Sequence, residues 1–180
     1  MSTHRKFICV AMLALALSSS LAFAEGPNLG KPIDPRDFAG WDISVMPDGG
    51  GLPAGSGTPA QGQRIYTEKC VPCHGDDGKG TASLPLSPLF GGGKITDISA
   101  GMKTIANFWP YATTLFDFIS RGMPWTQPRS LTDDEVYALT AFILAKNKLI
   151  GDTDTMNAET LPKVKMPNRN GFIIRFPDKI

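Results

Sequence analysis

Histidine is almost missing from this chain of 180 residues, which holds two, His4 and His74. Cysteine is nearly as scarce: Cys9, Cys70 and Cys73. His4 and Cys9 fall within residues 1–24, which read as a secretory signal peptide. His4, Arg5 and Lys6 give a basic start, Phe7 to Leu17 an apolar run, and Ala22-Phe23-Ala24 the small residues a peptidase reads, leaving Glu25 as the mature N-terminus. An uncleaved anchor is the competing reading, but the run is short for a bilayer and Ser18-Ser19-Ser20 interrupts it. No later segment approaches spanning length, so no membrane span is expected in the mature chain. A strong charge of either sign is missing too. The 18 basic residues face 17 acidic ones, and losing Arg5 and Lys6 with the leader moves the net charge from +1 to about −1. That balance gives no electrostatic reason to expect nucleic acid or an anionic membrane as partner. No internal repeat is present.

The remaining thiols and the remaining imidazole stand together, in Cys70-Val71-Pro72-Cys73-His74. Two cysteines two residues apart and followed by histidine read as a c-type haem attachment site. Each thiol can add across one haem vinyl group, and the short loop then brings the imidazole to the iron. Two other readings use the same pair. A zinc site would need two more ligands, and Cys9 lies in the leader. A thioredoxin-like redox pair would sit at a helix start after a strand, and no βαβ pattern surrounds this one. If both thiols hold haem, structural disulfides are excluded. With His74 the only histidine after residue 24, ligation by two histidines of this chain is excluded as well.

The second axial position must then come from another residue type or stay open, as in a gas sensor or peroxidase. Met123 is the candidate, in Arg121-Gly122-Met123-Pro124-Trp125, beyond a helix stop and before a proline that stiffens the loop. Methionine opposite histidine raises the reduction potential. Any methionine can be core filler, and Met102 is the main rival, with Met46, Met156 and Met166 in the tails. The other nitrogen of the proximal imidazole needs an acceptor. The carbonyl of Pro88 is expected to supply it. Leu84, Leu86, Leu89, Phe90, Ile95, Ile98 and Ile105 are expected to line the cofactor, and Phe108, Trp109, Tyr111, Phe116 and Trp125 to form an aromatic cluster between the ligand regions. Arg121 reads either as a propionate partner or as a solvated helix end.

Along the chain, residues 25–57 are rich in glycine, proline and aspartate and predict an extended arm with turns. Its apolar points, Ile33, Phe38, Trp41, Ile43 and Val45, suit either the domain's own surface or a partner subunit. A helix is predicted from Thr58 or Pro59 to about Lys69, with Thr58 as cap and Gly62 allowing another helix close. Residues 75–112 predict mostly loop. A short helix over Thr114–Arg121 is expected to stop at Gly122 in a left-handed cap. Thr132-Asp133-Asp134-Glu135 is a capping box, Leu131 and Val136 a hydrophobic staple, and Val136, Leu139, Thr140, Ile143 and Leu144 carry helical spacing to about Lys146. This last helix is expected to pack on the Gly62/Tyr66 face. Residues 149–180 predict an extended C-terminal tail.

With these residues in hand, the chain resembles class I cytochrome c over about residues 58–148. The resemblance rests on Gly62, Tyr66, Cys70-Val71-Pro72-Cys73-His74-Gly75, Pro88-Leu89, Gly122-Met123-Pro124 and the capped last helix. It implies an all-α cytochrome c fold with extended N- and C-terminal arms, Cys70 and Cys73 as thioether sites, His74 as proximal ligand and Met123 as distal ligand. A nearer likeness spans nearly the whole mature chain. Trp41-Asp42-Ile43, Asn107-Phe108-Trp109-Pro110-Tyr111, Ser130-Leu131-Thr132-Asp133-Asp134-Glu135 and Leu161-Pro162-Lys163-Val164-Lys165-Met166-Pro167-Asn168-Arg169 look like the cytochrome subunit of sulfur or sulfite dehydrogenases, the SoxD type. In that family a separate molybdenum-cofactor subunit oxidises sulfite or protein-bound sulfane sulfur, and the cytochrome takes the electrons away. The resemblance therefore implies a periplasmic electron-transfer subunit that is not itself catalytic, a molybdenum dehydrogenase partner, and a downstream c-type cytochrome or oxidase. Some members carry two haems; this chain has one attachment motif, so one covalent haem c is expected. The alternative is a free soluble electron carrier serving another dehydrogenase or oxidase.

Overall fold

The computed structural model describes residues 29–38, 40–84, 86, 88–93, 95–97, 99 and 101–173. The leader and Ile98 lie outside the described residues. The chain forms two compact units, residues 1–40 and 41–180. In the first, helix α1 (Pro35–Phe38) is a single turn, preceded by Asp34, whose carboxylate accepts from the backbone N–H and the guanidinium of Arg36.

The second unit carries helices α2 (Pro59–Lys69), α3 (Val71–His74), α4 (Ile105–Phe108), α5 (Ala112–Gly122) and α6 (Asp133–Lys146). Strands β1 (Ser56–Gly57) and β2 (Met156–Asn157) pair antiparallel with Ser56 opposite Asn157, and a 3-10 turn spans Leu161–Lys163. The fold is all-α, with this two-residue ladder as its strand content among the described residues.

The helix starts follow from capping chemistry. Thr58 Oγ1 accepts from the Gln61 N–H while Gln61 Oε1 accepts from the Thr58 N–H, and Pro59 occupies the first helical position, where its missing donor costs nothing. Thr132 and Glu135 do the same for α6. Each cap stabilises its helix by about 1 kcal/mol.

The helices α2 and α6 cross closely because Gly62 lacks a side chain. A Cβ there would overlap the Ala138 carbonyl oxygen and press on Phe142 Cβ, 2.7 Å away. One turn later Tyr66 packs between Phe142 and Phe90, with ring centroids 5.1 and 5.9 Å away.

The apolar spacing of α6 predicts a helix buried on one side, yet Val136–Ala145 are all buried. The flanking irregular segments supply the cover. Tyr137 packs against Phe116 at 4.5 Å and donates its O–H to the Pro53 carbonyl at 2.9 Å. Met156, Leu161, Val164 and Met166 enter the same core, and Val45 and Leu52 pack on its edge. Each such side chain, fully buried, contributes about 1.5–3 kcal/mol.

Helix α5 is longer than the sequence predicts and ends differently. Gly122 is its last helical residue and does not adopt positive φ; the chain leaves through Met123, at φ −118° and ψ 144°. The stop is Pro124, whose ring disfavours helical backbone in the residue before it. The Met123–Pro124 peptide is cis.

Candidate haem-binding site

The Cys70–His74 segment is a helical turn. Cys70 is the N-cap of α3, and its carbonyl accepts from the N–H groups of Cys73 at 3.1 Å and His74 at 2.8 Å. Positions i, i+3 and i+4 of a helix share one face. The two thiols and the imidazole accordingly border the same cavity. Gly75 then reverses the chain at φ 72°, and the Tyr66 O–H donates to its carbonyl at 2.8 Å, tying the end of the motif to α2. Burial pushes the Tyr66 phenol up to about 12, so it stays a donor.

The cavity holds about 710 Å³, within the range of cofactor sites. Its lining is overwhelmingly apolar: Leu84, Leu86, Leu89, Ile105, Leu115 and Ile119 contribute, with the aromatic rings of Phe108, Trp109 and Trp125. Lys69 and Lys103 are its charged lining residues. Lys69 pairs with Glu135 at 2.5 Å, and the Lys103 ammonium lies 5.7 Å from the Phe108 ring centroid. Among the described residues no carboxylate lines the space.

Met123 borders the same cavity, whereas Met102 does not and is 59% exposed. Phe90 turns away to Tyr66 and Phe142, Phe116 is core, and Ile95 lines a different cavity. Tyr111 sits under the Arg169 guanidinium rather than in the lining. Arg121 donates to Asp117 at 2.7 Å as an i, i+4 surface pair, which accords with the solvated helix end.

The expected bond from the imidazole to the Pro88 carbonyl is not made. His74 Nδ1 is buried without a hydrogen-bond partner among the described residues, although Pro88 borders the cavity. Burial holds the imidazole below its usual pKa, which keeps it in the neutral form that can ligate a metal. Burial also pushes the Cys70 thiol up to about 11. Two thiols and a neutral imidazole on one helical face and an apolar cavity of cofactor size fit a covalently held haem.

The wall of irregular backbone is fastened by three asparagines that sequence reasoning passed over. Asn147, at the end of α6, donates to the Leu89 carbonyl at 3.0 Å and accepts from the Gly91 N–H at 2.8 Å. Asn107 is buried in α4; its amide donates to the carbonyls of Gly93 and Met102, both at 2.9 Å, and its oxygen accepts from the Thr104 N–H at 2.7 Å. Asn168 donates to the Phe108 carbonyl at 2.6 Å. Each amide holds a stretch whose neighbours line the cavity. Thr104-x-x-Asn107 repeats the capping-box spacing with Asn in the third position, a local signal that was available.

A compact all-α unit whose Cys-x-x-Cys-His turn, apolar cavity and methionine loop converge defines a class, that of the c-type cytochromes. Comparison with known proteins agrees. Residues 57–143 match the family described as cytochrome c oxidase, cbb3-type, subunit III. A thiosulfate dehydrogenase of Allochromatium vinosum is 30% identical over 125 residues, which cover 62% of this chain and 43% of that protein. One from Stutzerimonas stutzeri is 33% identical over 94 residues, covering 51% and 28%. The chain thus spans less than half the length of either thiosulfate dehydrogenase. In the crystal structure of the sulfane dehydrogenase SoxCD from Paracoccus pantotrophus, one chain superposes with a TM-score of 0.72 at 38% identity, covering 86% of this chain and 73% of that one. The chain belongs to the cytochrome c family. That membership implies covalently bound haem c and electron transfer. No helix among the described residues is long and apolar enough to cross a membrane.

Proposed function

We propose that this protein is a periplasmic monohaem electron-transfer subunit that accepts electrons from a molybdenum-containing dehydrogenase acting on sulfite or sulfane sulfur and passes them to a downstream cytochrome or oxidase. The observation that carries the reading is a single apolar cavity bordered by Cys70, Cys73, His74 and Met123. Cys70 and Cys73 would hold the haem by thioethers, and His74 and Met123 would supply donors to its iron. Bound haem would supply a one-electron iron couple, whose potential a methionine donor would raise. The chain's part is to hold that group and exclude water. The leucine and isoleucine side chains give the site an apolar wall, and among the described residues no carboxylate lines it. The likeness to the SoxCD chain over 86% of this sequence supports the partner and the sulfur chemistry, and the leader read in residues 1–24 supports the compartment.

One observation favours a second reading, a free soluble carrier. Apolar residues of the flanking segments, Leu52, Leu161 and Met166 among them, pack on this chain's own core, so they do not need a partner to cover them. Purification from the native host separates the two: a subunit elutes with a second polypeptide and molybdenum, a carrier elutes alone. The haem assignment is tested by pyridine haemochrome analysis, with one haem per chain expected in the wild type and covalent attachment reduced in Cys70→Ala and Cys73→Ala. Met123→Ala should let the ferrous protein bind carbon monoxide at neutral pH, which the wild type should not do. Ready binding by the wild type would sink the Met123 assignment.

A further inference from the structure

The outer side of the haem cavity is held by the C-terminal segment, residues 164–172. Buried Val164 and Met166 fix its course on the core. Beyond them three contacts converge on one stretch of chain. Asn168 Nδ2 donates to the Phe108 carbonyl at 2.6 Å. The Arg169 guanidinium lies over the Tyr111 ring, 4.5 Å from its centroid. The Phe172 ring meets the Phe108 ring edge to face at 5.5 Å.

Both receiving residues bear on the cavity. Phe108 borders it directly, and also borders an open groove of about 1060 Å³ along residues 165–173, so one ring separates two spaces. Tyr111 is the N-cap of α5. That helix contributes Leu115, Phe118 and Ile119 to the lining and ends where the Met123 N–H donates to the Ile119 carbonyl at 3.0 Å. A displacement at Tyr111 is therefore carried along a rigid element to the methionine. Asn168 is half-buried and Arg169 exposed, so neither is needed to fill the core.

We infer that Asn168 and Arg169 are positioning residues of the haem site, acting through Phe108 and Tyr111 on the aromatic wall and on the helix that delivers Met123. The inference rests on the haem reading of the cavity. A role confined to anchoring the tail would change stability alone; a positioning role also changes the environment of the iron.

The test uses the full chain matured with haem. Asn168→Asp is nearly isosteric and removes the donor; Arg169→Gln removes the cation stacked on the ring. Covalent haem is measured first, then the midpoint potential, the ferric absorption band that reports methionine ligation, and amide exchange over residues 105–122. The expected result is wild-type haem content, a shifted potential, a weakened band and faster exchange, with the double variant changed more than either single one. Should Asn168→Asp fail to accumulate, Arg169→Gln and Phe172→Ala, both at exposed positions, give the same readout. Wild-type potential and band in these variants overturn the inference, even if their melting temperature falls. Absence of covalent haem in the wild-type chain would instead overturn the reading of the cavity, and this inference with it.

Discussion

The crossing of α2 with α6 and the loop wall over residues 75–104 are specified in different ways. At the crossing, side-chain size decides: Gly62 admits the Ala138 backbone, and Tyr66 and Phe142 fill the space beside it. The wall has close approaches of its own, as at Gly80 and Gly92, but it needs hydrogen bonds as well. Turn bonds such as Leu89 N–H to the Gly78 carbonyl pair part of its backbone, and amides reaching from α4 and α6 satisfy the carbonyls of Leu89, Gly93 and Met102. A buried polar group left unpaired costs about 1–3 kcal/mol, so the wall depends on hydrogen-bond donors in addition to volume. The cofactor cavity lies between the two, bounded on one side by packing and on the other by amide bonds.

Substitutions can separate these two modes. Gly62→Ala should have the largest effect, because the added Cβ meets backbone rather than a flexible side chain; a loss of about 3 kcal/mol in urea unfolding is expected. A near-neutral result would mean that the helices do not cross as described. Asn107→Ala should cost about 2 kcal/mol by leaving the Thr104 N–H and the carbonyls of Gly93 and Met102 without their partner. Its signature is local, with faster amide exchange over residues 91–104 and little change in α2 and α6. Uniform acceleration would show that helix crossing and wall unfold together. Thr132→Ala removes the N-cap of α6 and should cost about 1 kcal/mol, read as a lower melting temperature.

The smallest effect belongs to the Lys69–Glu135 pair, which joins α2 to the start of α6. Both side chains keep substantial solvent contact, so Lys69→Met should cost about 0.5 kcal/mol at neutral pH. The hydrogen bond from Lys69 holds the Glu135 carboxyl below its ordinary value of 4.5. A carboxyl whose folded pKa is lowered stabilises the fold at pH above the unfolded value and loses that contribution as pH falls through the folded one. The difference between wild type and variant should thus be constant from neutral pH down to about 5 and narrow below 4.5. A difference that grows on acidification would reject the pairing.

How much of this was legible in the sequence depends on range. The two capping boxes, the glycine at the crossing and the Cys-x-x-Cys-His turn are specified within a few residues of chain, and each is visible as a pattern of residue types. The end of α5 departs from the expected left-handed glycine stop because glycine and proline both follow Arg121, and the proline, acting on Met123, sets the stop. The burial of Tyr137, Ala138 and Ala141 was not legible from α6 itself. It is produced by single apolar residues in distant irregular segments, where no periodicity marks them. Asn168 shows the limit most clearly: its partner is 60 positions away, and nothing beside it distinguishes it from an asparagine in any turn. The imidazole acceptor departs from expectation for a related reason. An expectation drawn from ligand chemistry named a carbonyl, and the fold brings Pro88 to the cavity without bringing that bond.

Trp109 and Trp125 both border the cavity, and Trp125 is 80% exposed. Trp41, the third indole, is 85% exposed and borders no part of that space. A porphyrin absorbs where indoles emit, so filling the cavity quenches the two neighbouring emitters by energy transfer. The protein thus carries its own optical gauge of cofactor loading, legible without a label.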